Sequence, residues 1–169
     1  MNAGMPIEDR SEPDGGRSIH CVAKKSLDGP FPWPTTGRLF SLLVDLDRLD
    51  LGSPTAFDTL ADAVVGGGAR WVVARGEGAA ELEDAIIDAL AAIGGSLPDG
   101  DTVVTRVENG AWSEAMWQAC NLFADEHPPV VVLRVGPQED VQALGDAVTK
   151  ALRDMESHGA VSQRSVDLI

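Results

Sequence analysis

The sequence predicts an α/β domain built as a three-layer sandwich around a mainly parallel, four-stranded sheet. Four short apolar runs alternate with segments of helical periodicity, which is the pattern of βαβ units. Glycine or proline clusters separate most of these segments. A chain of 169 residues can also bury one core without a disulfide or a metal. Right-handed crossovers between the four strands favour the order 2-1-3-4.

The predicted strands are the short runs richest in branched aliphatic residues. They cover Leu39–Val44, Arg70–Arg75, Thr102–Val107 and Val130–Leu133. The fourth run is continuously apolar, which is typical of a strand buried on both faces of a parallel sheet.

A helix with one buried face is predicted after each strand. Ser53 as N-cap and Pro54 at the first helical position begin the first helix. The second and third helices span about Ala79–Ile93 and Trp112–Ala124, and the fourth follows Gly136-Pro137. Their apolar residues recur at helical spacing: Phe57, Leu60, Ala61 and Val64; Leu82, Ala85, Ile86, Ala89, Leu90 and Ile93; Met116, Ala119, Cys120 and Phe123; and Val141, Leu144, Val148 and Leu152.

The two flanks differ in composition from this domain, which is assigned to residues 39–157. Residues 1–27 are polar and rich in glycine and proline, so they are predicted to be a disordered arm. Residues 28–38 alternate prolines with Phe31 and Trp33. This strap is predicted to pack its two aromatic rings on the domain, with a proline-rich ligand for a partner as the alternative. Residues 158–169 are assigned to a C-terminal tail.

The net charge of −14 limits the classes of partner. Residues 40–169 carry all of it, with 8 basic and 22 acidic side chains. Such a field repels phosphate backbones and attracts basic proteins, so we expect a basic protein as partner and no nucleic acid. The sequence has neither a secretory leader nor an apolar run long enough to cross a bilayer, which predicts a cytoplasmic protein without membrane contact. The oligomeric state stays open.

The cysteines and histidines indicate no metal, cofactor or hydrolytic triad. Cys21 and Cys120 lie far apart, outside any metal-binding spacing, and Cys120 is predicted to be a core residue. His20 and His158 fall in segments expected to be mobile, and His127 follows the third helix, where it is expected to cap carbonyl groups.

Charged side chains gather where the predicted strands end. In an open parallel sheet, ligands bind at the carboxyl ends of the strands. These groups therefore form either a site for an anionic small molecule, centred on Arg75 and Arg106, or surface ion pairs of little energetic weight. The residues concerned are Asp45, Asp47, Arg75, Glu77, Arg106, Glu108 and Arg134.

The run Leu42-Leu43-Val44-Asp45-Leu46-Asp47 resembles the first motif of haloacid-dehalogenase-like phosphotransferases. The resemblance implies a magnesium-dependent phosphohydrolase with Asp45 as nucleophile and Asp47 as general acid. Glu139 and Asp140 would supply further metal ligands. The sequence departs from the family at Leu49, where a threonine or valine is usual, and it has no lysine between the second strand and Glu139.

Gly76-Glu77-Gly78 forms a strand-to-helix turn in which a helix N-terminus could hold a phosphate. Glu77 and Glu81 oppose this because they add negative charge at the turn. The glycines are therefore predicted to permit a tight turn, with the acids complementing the helix dipole.

An acidic stripe formed by Glu81, Asp84 and Asp88 runs along the second helix, opposite its apolar face. It is either a solvated surface or a docking surface for a basic partner. Trp117 falls outside the apolar stripe of the third helix, so it is either an interface anchor or a residue covered by the strap.

The region from the second strand to the third helix resembles a bacterial domain family of unknown function. The resemblance depends on Gly76, Asp84 and Asp88, and on Glu114-Ala115-Met116-Trp117. The family has a Trp-His pair where this chain has Arg106-Val107, so a role of that histidine cannot be transferred. The resemblance implies an α/β domain of bacterial origin and no defined activity.

The function that these observations favour is a non-catalytic, acidic protein-interaction module of the immunity or accessory type. Its candidate contact residues are Glu81, Asp84, Asp88 and Trp117. A magnesium-dependent phosphohydrolase and a sensor of small anions are the alternatives from other functional classes.

Overall fold

The computed structural model describes residues 18–25, 31, 33, 39–46, 55–94, 102–107, 111–121, 128–135, 141–157 and 166–168. Within them the chain forms six strands and four helices. The strands are β1 (Ile19–Lys24), β2 (Phe40–Asp45), β3 (Ala69–Arg75), β4 (Val103–Val107), β5 (Val130–Val135) and β6 (Val166–Leu168). The helices are α1 (Ala56–Gly66), α2 (Ala79–Ile93), α3 (Trp112–Asn121) and α4 (Val141–Ser157).

The strands form one sheet in which every pairing is parallel. The five longer strands lie in the order β1-β5-β2-β3-β4, and the three-residue β6 extends the sheet beyond β1. This order places β2 and β5 side by side in the middle of the sheet.

Helices cover both faces of the sheet. Alternate residues of a strand enter opposite cores: Leu42 and Val44 join the apolar cluster beneath α1 and α2, whereas Leu43 joins the one beneath α3 and α4. β5 is buried on both faces, since Val132 and Leu133 enter different clusters. The predicted α/β class with helices on both sides of a parallel sheet is confirmed.

The predicted strand number and order are wrong. The third predicted strand, β4, lies at the edge beyond β3, and the fourth, β5, lies beside β2. In the numbering of the prediction, the observed order of those four strands is 3-2-1-4 rather than 2-1-3-4. The chain runs β2, β3, β4 toward one edge and then returns through α3, which packs on β2 and β3, to β5. The sequence of a single strand does not indicate such a connection, so the strand order could not be predicted from it.

β1 lies within the segment expected to be a disordered arm, and β6 lies within the expected tail. Ile19 and Cys21 are fully buried in the core beneath α3 and α4. β1 pairs with β5 on one side and with β6 on the other. The remainder of residues 1–27, apart from 18–25, is outside the described residues. The six residues of β1 are thus buried by strands that are distant in the sequence, and the composition of residues 1–27 does not indicate this burial.

The two aromatic residues of the strap pack on the domain, as predicted. The rings of Phe31 and Trp33 stack with centroids 5.3 Å apart, and the ring of Trp33 lies 5.2 Å from that of Phe40. A Cβ atom built on Gly67, at the end of α1, would overlap Nε1 of Trp33. Only glycine therefore permits this close approach.

The helices follow the predicted pattern, with exceptions in α1 and α2. The N-cap of α1 is Thr55 and its first residue is Ala56, so the predicted start with Ser53 as N-cap is wrong. Ser53 and Pro54 lie outside the described residues.

α2 has the predicted bounds and ends at Gly94, whose φ of 73° is a conformation that glycine adopts readily. Ile93, expected in the core, is 53% exposed because it lies in the last turn. Cys120 is buried, as predicted. Among the described helices, none is both long and apolar enough to cross a bilayer.

Candidate functional site

A cluster of charged side chains lies at the carboxyl ends of three adjacent strands. Asp45 is the last residue of β2, and the register places Arg75 of β3 on one side of it and Arg134 of β5 on the other. Arg75 donates a hydrogen bond from Nη1 to Oδ1 of Asp45. Nε of Arg134 donates to Oδ2 at 2.6 Å. One carboxylate thus bridges two guanidinium groups.

The strand periodicity explains why these three side chains meet. Asp45, Arg75 and Arg134 each follow by two residues a residue of the core beneath α3 and α4, namely Leu43, Val73 and Val132. Because strand side chains alternate between faces, all three charged groups project on the same side of the sheet. We call Asp45, Arg75 and Arg134, with Trp112, the switch-point cluster.

Trp112, the first residue of α3, forms the aromatic wall of the switch-point cluster. Cζ of Arg75 lies 4.3 Å from the centroid of the indole ring, and Cζ of Arg134 lies 5.9 Å from it. Guanidinium groups within about 6 Å of an aromatic ring are attracted by its electron-rich face. The indole ring therefore helps to hold both guanidinium groups in place.

The charged side chains of the switch-point cluster differ in their exposure to solvent. The side chains of Asp45 and Arg75 are 4% and 6% exposed, whereas that of Arg134 is 27% exposed. Asp45 and Arg75 thus form a buried ion pair, which is stable only when both partners are present. Arg134 is the charged member of the cluster that solvent reaches.

The cluster lies where the direction of the sheet reverses. From β2 the chain proceeds through β3 to β4, and β5 then joins the opposite side of β2. In doubly wound sheets, ligands bind in the crevice at the carboxyl ends of the strands at this reversal. The position of Asp45 and Arg134 is therefore the expected ligand-binding position for this architecture.

Arg106 does not lie beside Arg75, so the structure does not form the alternative in which an anion site is centred on these two arginines. Arg106 pairs with Glu83 of α2, with Nε 3.0 Å from Oε2. It lies in register with Ala74, whose side chain enters the core beneath α1 and α2. Arg106 and Arg75 therefore lie on opposite faces of the sheet.

The other predicted residues at strand ends lie either away from the switch-point cluster or outside the described residues. Glu77 is exposed in the turn before α2. Asp47 and Glu108 are outside the described residues, as are Glu139 and Asp140. Within the described part of the chain, no group of three or more His, Cys, Asp or Glu side chains is placed to hold a metal ion.

The turn before α2 has the structural role that the sequence favours. Gly76 has a φ of 98°, a conformation that residues with a side chain rarely adopt. A Cβ atom on Gly78 would lie 3.0 Å from Cζ of Phe57, so this glycine permits α1 and α2 to pack closely. Both glycines are explained by backbone conformation and packing.

The acidic stripe is on the outer surface of α2. Glu81, Asp84 and Asp88 are all exposed. None of them forms an ion pair with another residue of the described segments. Ile87, on the same helix, is 52% exposed. Within the described segments, the stripe thus consists of carboxylates without an ion pair, on the same helix as an exposed apolar side chain.

Trp117 is 47% exposed on α3. The strap residues Phe31 and Trp33 pack on the other face of the sheet, against the core beneath α1 and α2. The alternative in which the strap covers Trp117 is therefore wrong. Trp117 stays a candidate interface residue, separate from the acidic stripe of α2.

His20 lies in β1 rather than in a mobile segment. It is 9% exposed, and its Nε2 lies 3.2 Å from Oγ of Ser18. His127 and His158 are outside the described residues.

Sequence reasoning placed Arg134 at a strand end but did not recognise the role of Trp112. The available signal was an aromatic residue at the first position of a helix that follows a strand, which is also the position of many core residues. The role of Trp112 could be recognised only from the packing of α3 on β2 and β3, which brings its first residue to the ends of these strands.

No protein-family model matches the chain, and no curated protein or solved structure shows significant similarity to it. Function is therefore inferred from the side chains themselves.

Proposed function

We propose that the protein is a non-catalytic interaction module that binds a basic protein through the acidic stripe of α2. The observation that carries this proposal is the exposure of Glu81, Asp84 and Asp88 without an ion pair to any other described residue. We further propose that this module has an immunity or accessory role, in which it acts by binding its partner.

The arrangement of the stripe is unfavourable for the isolated helix. Glu81 and Asp84 are three residues apart and Asp84 and Asp88 are four apart, so like charges are neighbours on the helix surface. Each such pair costs about 0.2–0.5 kcal/mol. Lysine or arginine side chains of a partner would remove this repulsion.

Ile87 adds an apolar contact beside the carboxylates, since it is 52% exposed on the same helix. Protein interfaces commonly combine an apolar centre with a charged rim. The stripe and Ile87 together supply both components over one helical surface.

The overall charge supports the same partner class. A net charge of −14 attracts a basic protein over distances up to about the Debye length, which is about 8 Å at physiological ionic strength. The association rate should therefore fall as salt is added.

The phosphohydrolase alternative is opposed by the surroundings of Asp45. Both carboxylate oxygens accept hydrogen bonds from arginines, and the side chain is 4% exposed. A nucleophile or metal ligand at this position would share both oxygens with guanidinium groups, which withdraw electron density from them and lower their reactivity. The Asp45 carboxylate is therefore suited to holding arginines in place.

The test is affinity capture from the native cell with the wild-type protein and two charge-reversal variants. Asp84→Lys with Asp88→Lys reverses the stripe. Asp58→Lys with Asp62→Lys makes the same change in net charge at the same spacing on α1, where both acids are also exposed. We expect the first variant to lose a partner that the second retains, with the loss confirmed on the purified partner at low and high salt. Equal recovery by all three proteins, or equal loss by both variants, would contradict the proposal.

A further inference from the structure

We propose that the switch-point cluster is a binding site for a small carboxylate, held by the terminal amino groups of Arg134. Nε of Arg134 is used by Asp45, at 2.6 Å. Its two Nη groups make no hydrogen bond to any described residue, and 27% of the side chain is exposed. Arg134 is thus held by Asp45 through Nε, while its Nη groups are available to a ligand.

The geometry suits an oxyanion with two oxygens in one plane. A guanidinium group presents parallel N–H donors that match the two oxygens of a carboxylate. Asp45 restrains the Arg134 side chain before the ligand arrives, so less conformational freedom is lost on binding. The cluster therefore supplies a preorganised donor pair.

The charge of the whole protein favours a ligand with a single negative charge. At a net charge of −14, the protein repels a phosphate dianion more strongly than a monovalent carboxylate. A carboxylate is therefore preferred to phosphate.

The surroundings support a ligand at this place. The cluster lies at the carboxyl ends of β2 and β5, where the strand order reverses. The N-terminus of α3, which begins at Trp112, adds a partial positive charge beside the guanidinium groups. This site is independent of the stripe on α2, because Asp45, Arg75 and Arg134 project on the face covered by α3 and α4.

The probes are acetate and benzoate, with inorganic phosphate for comparison. Binding is followed by the indole N–H signals in ¹H–¹⁵N spectra of the full chain, with the Trp112 signal assigned from Trp112→Phe. We expect both carboxylates to shift the Trp112 signal saturably and more tightly than phosphate. An absence of saturable shifts with either carboxylate, or tighter binding of phosphate, would overturn the assignment.

The variants separate specific binding from a general effect of charge. Arg134→Gln should weaken carboxylate binding by about tenfold or more, since a hydrogen bond to a charged group is lost. Arg106→Gln makes the same chemical change on the other face and should leave binding unchanged. Arg134→Lys keeps the charge without the paired donors and should also weaken binding, which covers the case in which the glutamine variant does not fold. Equal weakening by the Arg106 variant, or full binding by both Arg134 variants, contradicts the site.

Discussion

Replacing Asp45 with asparagine should strongly destabilise the protein. The substitution removes the carboxylate that pairs with Arg75 and Arg134, while the side chain keeps its size. Arg75 is 6% exposed, so its guanidinium group loses a buried carboxylate partner without gaining access to solvent. Removing one partner of a buried ion pair costs about 3–5 kcal/mol. We expect the lower end, about 3 kcal/mol, because Arg134 is 27% exposed and the indole still contacts both guanidinium groups.

Urea unfolding measures this loss through the shift of the midpoint at constant slope. Glu83→Gln is the matched control, since it breaks the Arg106 ion pair, whose side chains are 47% and 27% exposed. An exposed pair of this kind contributes about 0–1 kcal/mol. A loss below about 1 kcal/mol for Asp45→Asn, or an equal loss for both variants, would refute the reasoning. If Asp45→Asn does not fold, Asp45→Leu combined with Arg75→Met should fold, because it removes both buried charges.

Two further predictions concern packing. Gly67→Ala should lower the free energy of unfolding by about 1–3 kcal/mol and shift tryptophan fluorescence to longer wavelength, because the new methyl group displaces Trp33. Gly66→Ala is the control and should not destabilise the protein, since its methyl group meets nothing within 4 Å. Equal losses of stability in the two variants would show that Trp33 does not pack against Gly67. Cys21 and Cys120 are both buried, so neither thiol should react with Ellman's reagent until urea unfolds the protein, and rapid reaction under native conditions would contradict their placement.

The local elements could be predicted because their signals lie within short windows of sequence. The predicted bounds of α2 match the observed Ala79–Ile93, and the four predicted strands correspond to β2, β3, β4 and β5. Periodicity records which side of an element is buried. Periodicity contains no information on which strands are neighbours in the sheet. The predicted strand order was therefore wrong, and β1 was not predicted.

The site was predictable only in part for the same reason. That polar groups gather at strand ends follows from the parallel sheet, and Asp45, Arg75 and Arg134 were identified on that basis. Whether Arg106 faces Arg75 depends on the register between β3 and β4, which offsets Arg106 by one residue and turns it to the other face. Such a register is decided by long-range packing.

The position of β1 has a consequence for the order of assembly during synthesis. Ile19 pairs with Val130 and with Val166, so β1 leaves the ribosome before either of its neighbouring strands exists. β2, α1 and β3 can assemble from contacts close in sequence, while β1 must wait for β5. Until then the nascent chain exposes the side chains of Ile19 and Cys21, a surface on which premature association between chains can begin.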